Sequence, residues 1–427
     1  MLNLRHTLFT LFFFAIVFAD GQTYDSLIND LDSIVYEAIN AEAFPGCIVY
    51  ASQGDSVFVL KSYGYHTYDS TRRVAVNDIY DLASITKVVG GTLAMMKLYE
   101  DGHLDLDDEI REHIDRIGRR VGRVTFREAL AHQGGLYPWI PYHQESRRRN
   151  GKFRNKTVTN EMDEDYSYPL TDSLYLHSDF YSRIKKMIRK SDVSDEKKYR
   201  YSGLFFYLIP ELVKNLTDTS YQVYLETHFY KPLNAETLTF NPLDKFRLNQ
   251  IVPTEIDTFF RMEPIHGKVH DEGAIMMKGV SGNAGLFSNA TDLAKVFHML
   301  LNDGKSDTLQ LLFPQTIQLF TTAQYPNNGN RRGLGFDKPL LEYDSIRSSV
   351  AKSASFKSYG HTGYTGTLAW IDPENGLTFI FLTNRVYPSR TYRGLYELNV
   401  RPTIHQLLYD YLDSSLRENT DPVGNTK

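Results

Sequence analysis

The sequence predicts an α/β protein: an antiparallel sheet flanked by N- and C-terminal helices, with a mostly helical inserted part. Three observations predict it. An amphipathic segment and a hairpin pattern stand near the start, a second hairpin and a helical run stand near the end, and the stretch between them is richer in helix. At 427 residues the chain exceeds one small core and suits one large α/β unit with an insertion, or two domains. The expected division places the α/β part at residues 22–90 and 280–420 and the helical part at 91–279, with a flexible tail at 421–427.

Near the start, residues 24–41 carry Leu27, Leu31, Ile34 and Val35 at helical spacing, and Pro45-Gly46 ends the pattern. Cys47-Ile48-Val49-Tyr50-Ala51 then pairs with Ser56-Val57-Phe58-Val59-Leu60 around Gln53-Gly54-Asp55. Cys47 is the single cysteine; it cannot form an internal disulfide and reads as a buried strand residue. Val88, Leu93, Met96 and Leu98 give a helix that stops at Gly102. Thr125-Phe126-Arg127-Glu128 is a capping box. Residues 140–198 are polar, charged and tyrosine-rich, and they read as an insertion over a cleft. Ser288 or Asn289 caps a helix running through Phe297, Met299 and Leu300 to Gly304. Residues 368–372 and 377–383 read as two strands joined by Pro373-Glu374-Asn375-Gly376, with His361-Thr362-Gly363 on or at the entry to the first. Residues 398–412 read as a helix that packs beside the first one.

The ends and the charge balance narrow the function classes. Arg5 and His6 precede an apolar run from Leu8 to Ala19, followed by polar Asp20-Gly21-Gln22. A charged start, a short apolar core and small residues describe a secretory signal peptide over residues 1–21. Left uncleaved, the same segment would anchor the protein at the inner membrane, although a span needs about 20 apolar residues. The expected location is therefore periplasmic or secreted, with peripheral or anchored membrane association as the alternative. A net charge of −5 gives no support for nucleic-acid binding, and Arg147-Arg148-Arg149 is a short solvated run.

Chemistry first shows at Ser84-Ile85-Thr86-Lys87. A serine hydroxyl is a poor nucleophile until a base takes its proton, and a lysine three residues on along a helix lies on the same face. Alone, this spacing is common on solvated helices. Gly360-His361-Thr362-Gly363-Tyr364-Thr365-Gly366-Thr367 is the second feature, where small residues let a substrate backbone approach a strand edge. Alone, it is equally a glycine-rich loop entering a hairpin.

Together these stretches resemble the serine β-lactamase and penicillin-binding protein superfamily, its class C β-lactamase-like branch, and within that the penicillin-binding protein 4B type of serine hydrolase. Ala129-Leu130-Ala131-His132-Gln133-Gly134-Gly135-Leu136, Val269-His270-Asp271-Glu272, residues 279–288 and Leu382-Thr383-Asn384-Arg385 also match. The resemblance implies that Ser84 attacks a carbonyl while Lys87 and Tyr201 carry its proton to the leaving group. It places the oxyanion between the amides of Ser84 and Tyr364. His361, Thr362 and Gly363 would bind the substrate, His361 through a pH-dependent charge beside its carboxylate, with Arg385 as a fixed charge or else a surface residue. In a chain with 29 tyrosines, Tyr201 is singled out by its place between the other motifs in Tyr199-Arg200-Tyr201-Ser202-Gly203. Gly203 departs from the family's usual Asn or Asp and leaves the positioning of the lysine in doubt.

The implied activity is that of a D-alanyl-D-alanine carboxypeptidase on peptidoglycan peptides. A β-lactamase or small-ester hydrolase is the alternative within the family, and a weakly active cell-wall or penicillin-binding protein is the alternative outside it. No cofactor or metal is implied. His266 and His270 are four apart beside Asp271 and Glu272, but they lack the H-E-x-x-H arrangement and a third ligand.

Overall fold

A computed structural model describes residues 23–307 and 309–420. The leader expected at 1–21 and the tail at 421–427 lie outside the described residues. Helix α1 (Tyr24–Asn40) is capped by Thr23, whose hydroxyl accepts from the Ser26 amide at 3.2 Å. Strands β1 (Gly46–Gln53) and β2 (Ser56–Gly64) form the expected hairpin, and Cys47 is buried within it.

The serine-bearing segment is not one regular helix. A 3₁₀ turn covers Ala83–Ile85, a wide π turn covers Lys87–Thr92, and only then does α2 (Leu93–Glu100) begin. Every residue of Lys87–Thr92 is buried, so packing on all sides overrides the local helical period. A short helix at Phe126–Leu130 carries the expected capping box. The insertion folds as a small sheet of Val158–Thr159, Tyr168–Pro169 and Tyr175–Leu176 with a helix at Phe180–Lys190. Helix α3 (Ala290–Leu301) is capped by Asn289, which accepts from the Asp292 amide at 2.8 Å, while Ser288 ends a strand. That strand, Leu286–Ser288, pairs with Tyr80–Asp81 and holds the serine segment against the chain that precedes α3.

Strands β3 (Tyr359–Thr362), β4 (Leu368–Asp372) and β5 (Leu377–Thr383) complete an antiparallel sheet of order β3-β4-β5-β1-β2. The His-Thr-Gly triplet thus lies at the end of its own short strand, one strand earlier than the sequence pattern indicated. Four residues are too few to show a period. The centre of the sheet is buried on both faces, which explains the unbroken apolar run of β5. Phe379 and Phe381 face α1 and the last helix, α4 (Val400–Thr420), alongside Leu31, Val35, Ile404 and Leu408. Ile380 and Leu382 face the opposite core with Val296, Phe297 and Leu300 of α3. Each such buried side chain contributes roughly 1.5–3 kcal/mol. No helix among the described residues is long and apolar enough to cross a membrane.

Candidate active site

Ser84 sits at a tight elbow. The residue before it, Ala83, has φ 46°, a left-handed conformation that costs energy for a non-glycine residue. Asp81 holds it there: one carboxylate oxygen accepts from the Ala83 amide at 2.8 Å and the other from the His270 amide at 2.7 Å. Lys87 Nζ donates to Ser84 Oγ at 3.0 Å and to the Asn283 carbonyl at 2.9 Å. The Tyr201 hydroxyl reaches Ser84 Oγ at 3.4 Å. The tyrosine ring lies 5.5 Å from Lys87 Nζ and 5.2 Å from the Arg332 guanidinium, so an amine and a guanidinium flank the phenol. Below it lies His132, with ring centroids 4.5 Å apart, kept neutral by burial and then by the charge of Arg332.

The facing wall is the end of β3. Thr365 Oγ1 donates to the Asp81 carbonyl at 2.9 Å and Thr367 Oγ1 to the Leu82 carbonyl at 3.2 Å, which clamps this turn onto the serine elbow. So close an approach leaves room only for glycine at 363, where a Cβ would stand 2.0 Å from Thr367 Oγ1 and 2.7 Å from the Leu82 carbonyl. Gly363 N–H turns inward to the Thr367 carbonyl, whereas the Tyr364 amide has no hydrogen-bond partner among the described residues.

Ser84, Tyr201, His361, Thr362, Gly363 and Tyr364 line one cleft of about 310 Å³. His361 is there without the expected charge. Its Nδ1 lies 2.7 Å from the Thr362 carbonyl and must donate, so Nε2, 3.3 Å from Arg332, accepts. Burial, with Arg332 and Lys87 nearby, lowers its pKa to about 3. The pH-dependent cation expected at His361 is therefore replaced by Arg332, which is buried and paired with Asp337 at 3.2 Å.

Arg385 is neither a surface residue nor part of the cleft lining. It is buried, and it donates to the carbonyls of Tyr364 (3.1 and 2.8 Å), Arg390 (3.1 Å) and Tyr392 (2.9 Å). Its guanidinium braces the turn that carries Tyr364 and leaves substrate binding to other groups. Sequence reasoning missed Arg332, Asn283 and Arg401. Arg401 is buried at the cleft and donates to the Thr367 carbonyl at 3.2 Å, with no carboxylate partner among the described residues. The Arg332 position depends on Asn330, which accepts from the Arg332 amide at 3.0 Å and donates to Gln133 at 2.9 Å, a long-range link that no local pattern shows.

The histidines at 266 and 270 do not share a helix. His266 bonds the Ile251 carbonyl at 2.7 Å, and His270 bonds Glu255 at 2.6 Å while stacking on Tyr364. The cleft thus joins a hydroxyl, a buried amine, a phenol, a free amide and fixed positive charge. Such a set can deprotonate the hydroxyl, stabilise an oxyanion and hold an anionic group beside it.

The family model for Beta-lactamase matches residues 31–401. A Salmonella gallinarum protein named "Putative D-alanyl-D-alanine carboxypeptidase" is 30% identical over 386 residues, covering 84% of this chain and 82% of that protein. An Escherichia coli O157:H7 protein of the same name is 29% identical over 385 residues, with the same coverage of 84% and 82%. The crystal structure of a class C β-lactamase from Rhodobacter sphaeroides aligns with a TM-score of 0.60 at 16% identity, over 91% of this chain and 99% of that one. At that identity the likeness shows the fold.

Proposed function

We propose that this chain, which belongs to the beta-lactamase family, releases the terminal D-alanine of peptidoglycan peptides through an acyl-enzyme on Ser84. The observation that carries the reading is the placement of Ser84 Oγ within 3.0 Å of Lys87 Nζ and 3.4 Å of the Tyr201 hydroxyl. The names of the Salmonella and Escherichia coli relatives support the substrate class.

Lys87 takes the Ser84 proton as Oγ attacks the carbonyl of the penultimate D-alanine. The oxyanion forms between the amides of Ser84 and Tyr364. Tyr201 passes a proton to the departing amine, the C–N bond breaks, and D-alanine leaves. Water then attacks the ester, giving up its proton to the same groups, and restores the Ser84 hydroxyl. Arg332 and Arg401 supply positive charge for the terminal carboxylate, a role first expected of His361 and Arg385. Thr362 and Gly363 offer the strand edge along which the peptide lies.

A β-lactam or a simple ester would be acylated by the same atoms, so substrate choice rests on the leaving-group side of the cleft. Gly203 favours a second reading, a slow penicillin-binding protein, because it removes a polar side chain beside the lysine. Export to the periplasm is part of the proposal and rests on the apolar run from Leu8 to Ala19.

The test is incubation with a fluorescent penicillin, peptide mapping of the labelled residue, and an assay of D-alanine release from a D-Ala-D-Ala peptide. Label on Ser84 with measurable release supports the carboxypeptidase. Label without release supports the slow binding protein. Undiminished labelling and hydrolysis in Ser84→Ala would sink both.

A further inference from the structure

Lys87 Nζ has two polar partners placed on it, Ser84 Oγ at 3.0 Å and the Asn283 carbonyl at 2.9 Å. In the family pattern an Asn or Asp two residues after the tyrosine adds a side chain beside the lysine; this chain has Gly203. A Cβ at 203 would meet only Tyr207 Cε2, at 3.9 Å, so the ring of Tyr207 borders the place that the missing side chain would fill.

We propose that Asn283, Tyr207 and Asp271 form a positioning network that holds Lys87 against Ser84, taking over the task of the side chain absent at Gly203. The order of donors and acceptors follows from chemistry. Burial, reinforced by Asp271, raises the Tyr207 phenol well above its ordinary range, so it keeps its proton and donates it to Asp271 Oδ1 at 3.0 Å. The phenol oxygen then accepts from Asn283 Nδ2 at 3.0 Å. At the other end of the amide, Asn283 Oδ1 accepts from Ser281 Oγ at 2.6 Å. Both ends of the Asn283 side chain are fixed, which aims its main-chain carbonyl at Lys87 Nζ.

The anchor is itself rigid. Asp271 Oδ1 also accepts from the Ala274 amide at 2.7 Å, which ties it to the backbone of the turn Glu272–Ile275. Gly273 in that turn admits the phenol, because a Cβ there would stand 2.2 Å from the Tyr207 oxygen. Three hydrogen bonds thus connect a backbone-anchored carboxylate to the proposed base through Tyr207 and Asn283, without involving residue 203. Asn283 and Tyr207 act through Lys87 and are positioning residues; neither touches the reacting atoms.

The inference rests on Lys87 acting as the base for Ser84, and the experiment separates the two. Full-length wild type, Tyr207→Phe, Ser281→Ala, Gly203→Asn and Tyr207→Phe/Gly203→Asn are mixed with fluorescent penicillin, and acylation is followed against concentration. Thermal midpoints are measured on the same samples. Tyr207→Phe and Ser281→Ala are each expected to lower the maximal acylation rate about three- to tenfold, with the half-saturating concentration unchanged. Gly203→Asn is expected to restore the rate in the Tyr207→Phe background by a larger factor than it adds to wild type. A merely structural tyrosine would show no such rescue. Wild-type rates in both Tyr207→Phe and Ser281→Ala would overturn the network, as would losses that track the thermal midpoint and ignore Gly203→Asn. Failure of wild type to acylate at Ser84 would overturn the acyl-enzyme reading, and this inference with it.

Discussion

Arg332 donates a hydrogen bond to Nε2 of His361 at 3.3 Å, so the histidine of the His-Thr-Gly triplet meets the cleft as a neutral group beside a permanent cation. Its other nitrogen is committed to the Thr362 carbonyl at 2.7 Å, and protonation would place a second positive charge against Arg332. Under the proposed function, the group left to anchor a substrate carboxylate at this end of the cleft is then the guanidinium. The half-saturating concentration of a D-Ala-D-Ala peptide should stay flat between about pH 5 and pH 8, where a free imidazole would titrate. Arg332→Gln should raise it about 10- to 100-fold, the worth of a charged hydrogen bond of about 1.5–3 kcal/mol. A neutral ester should be far less affected. Equal losses on both substrates would remove Arg332 as the anchor. An inflection near pH 6.5 that vanishes in His361→Gln would show that the histidine carries the charge after all.

Arg385 behaves differently because, among the described residues, its side-chain hydrogen bonds all go to backbone carbonyls, two of them to Tyr364. Removing it should loosen the turn that carries Tyr364, whose amide the proposed mechanism assigns to the oxyanion. Arg385→Met should lower the rate of acylation by at least about tenfold, or about 1.4 kcal/mol, and equally for peptide and ester. A rise in half-saturating concentration confined to the carboxylate substrate would return Arg385 to the binding role.

Gly363→Ala tests the clamp between the two walls. The added methyl would meet a backbone carbonyl, that of Leu82 at 2.7 Å, which cannot swing away as a side chain does. Strand β3 should shift from the serine elbow, at a cost of about 1–3 kcal/mol in stability and most of the acylation. A variant with the wild-type melting temperature and acylation rate would show that the contact between β3 and the elbow is not tight.

What could be read from sequence follows how local each interaction is. Ser84 and Lys87 lie three residues apart on one turn, and the His-Thr-Gly stretch is contiguous, so their chemistry stands together in the chain. The hairpin of β1 and β2 and the Thr125 capping box are likewise set by neighbours. Arg332 was invisible because its place depends on Asn330 and Gln133, which are 197 positions apart in the chain. Arg385 was misread because its partners are carbonyls, which every residue has. Asn283 lay within a stretch that matched the family, but the Lys87 contact comes from its backbone, where residue identity leaves no mark. The π turn after Ser84 is imposed by burial on every side, and helical spacing alone predicts an ordinary helix there.

Three buried histidines should make the protein sensitive to mild acid. Burial lowers His132 well below its ordinary value and lowers His361 and His405 to about 3. His405 packs between Phe379 of β5 and Tyr409 of α4, with centroids 4.9 Å from each, and its Nδ1 accepts from the Ala351 amide at 3.4 Å. In the unfolded chain all three recover a value of about 6.5. Below that pH the unfolded state binds protons that the folded state refuses, so stability is full above about pH 6.5 and falls as pH drops toward 3. Each histidine contributes a slope of up to about 1.4 kcal/mol per pH unit. Glu255 adds to the loss only at lower pH: burial raises its value, but hydrogen bonds from Arg390 and His270 outweigh this and hold it at about 2. Urea unfolding at about pH 7 and pH 5 should therefore show a loss of several kcal/mol, and His405→Gln should make the slope shallower by about one histidine's share. Equal urea midpoints at the two pH values would mean that these imidazoles take up protons without unfolding the chain.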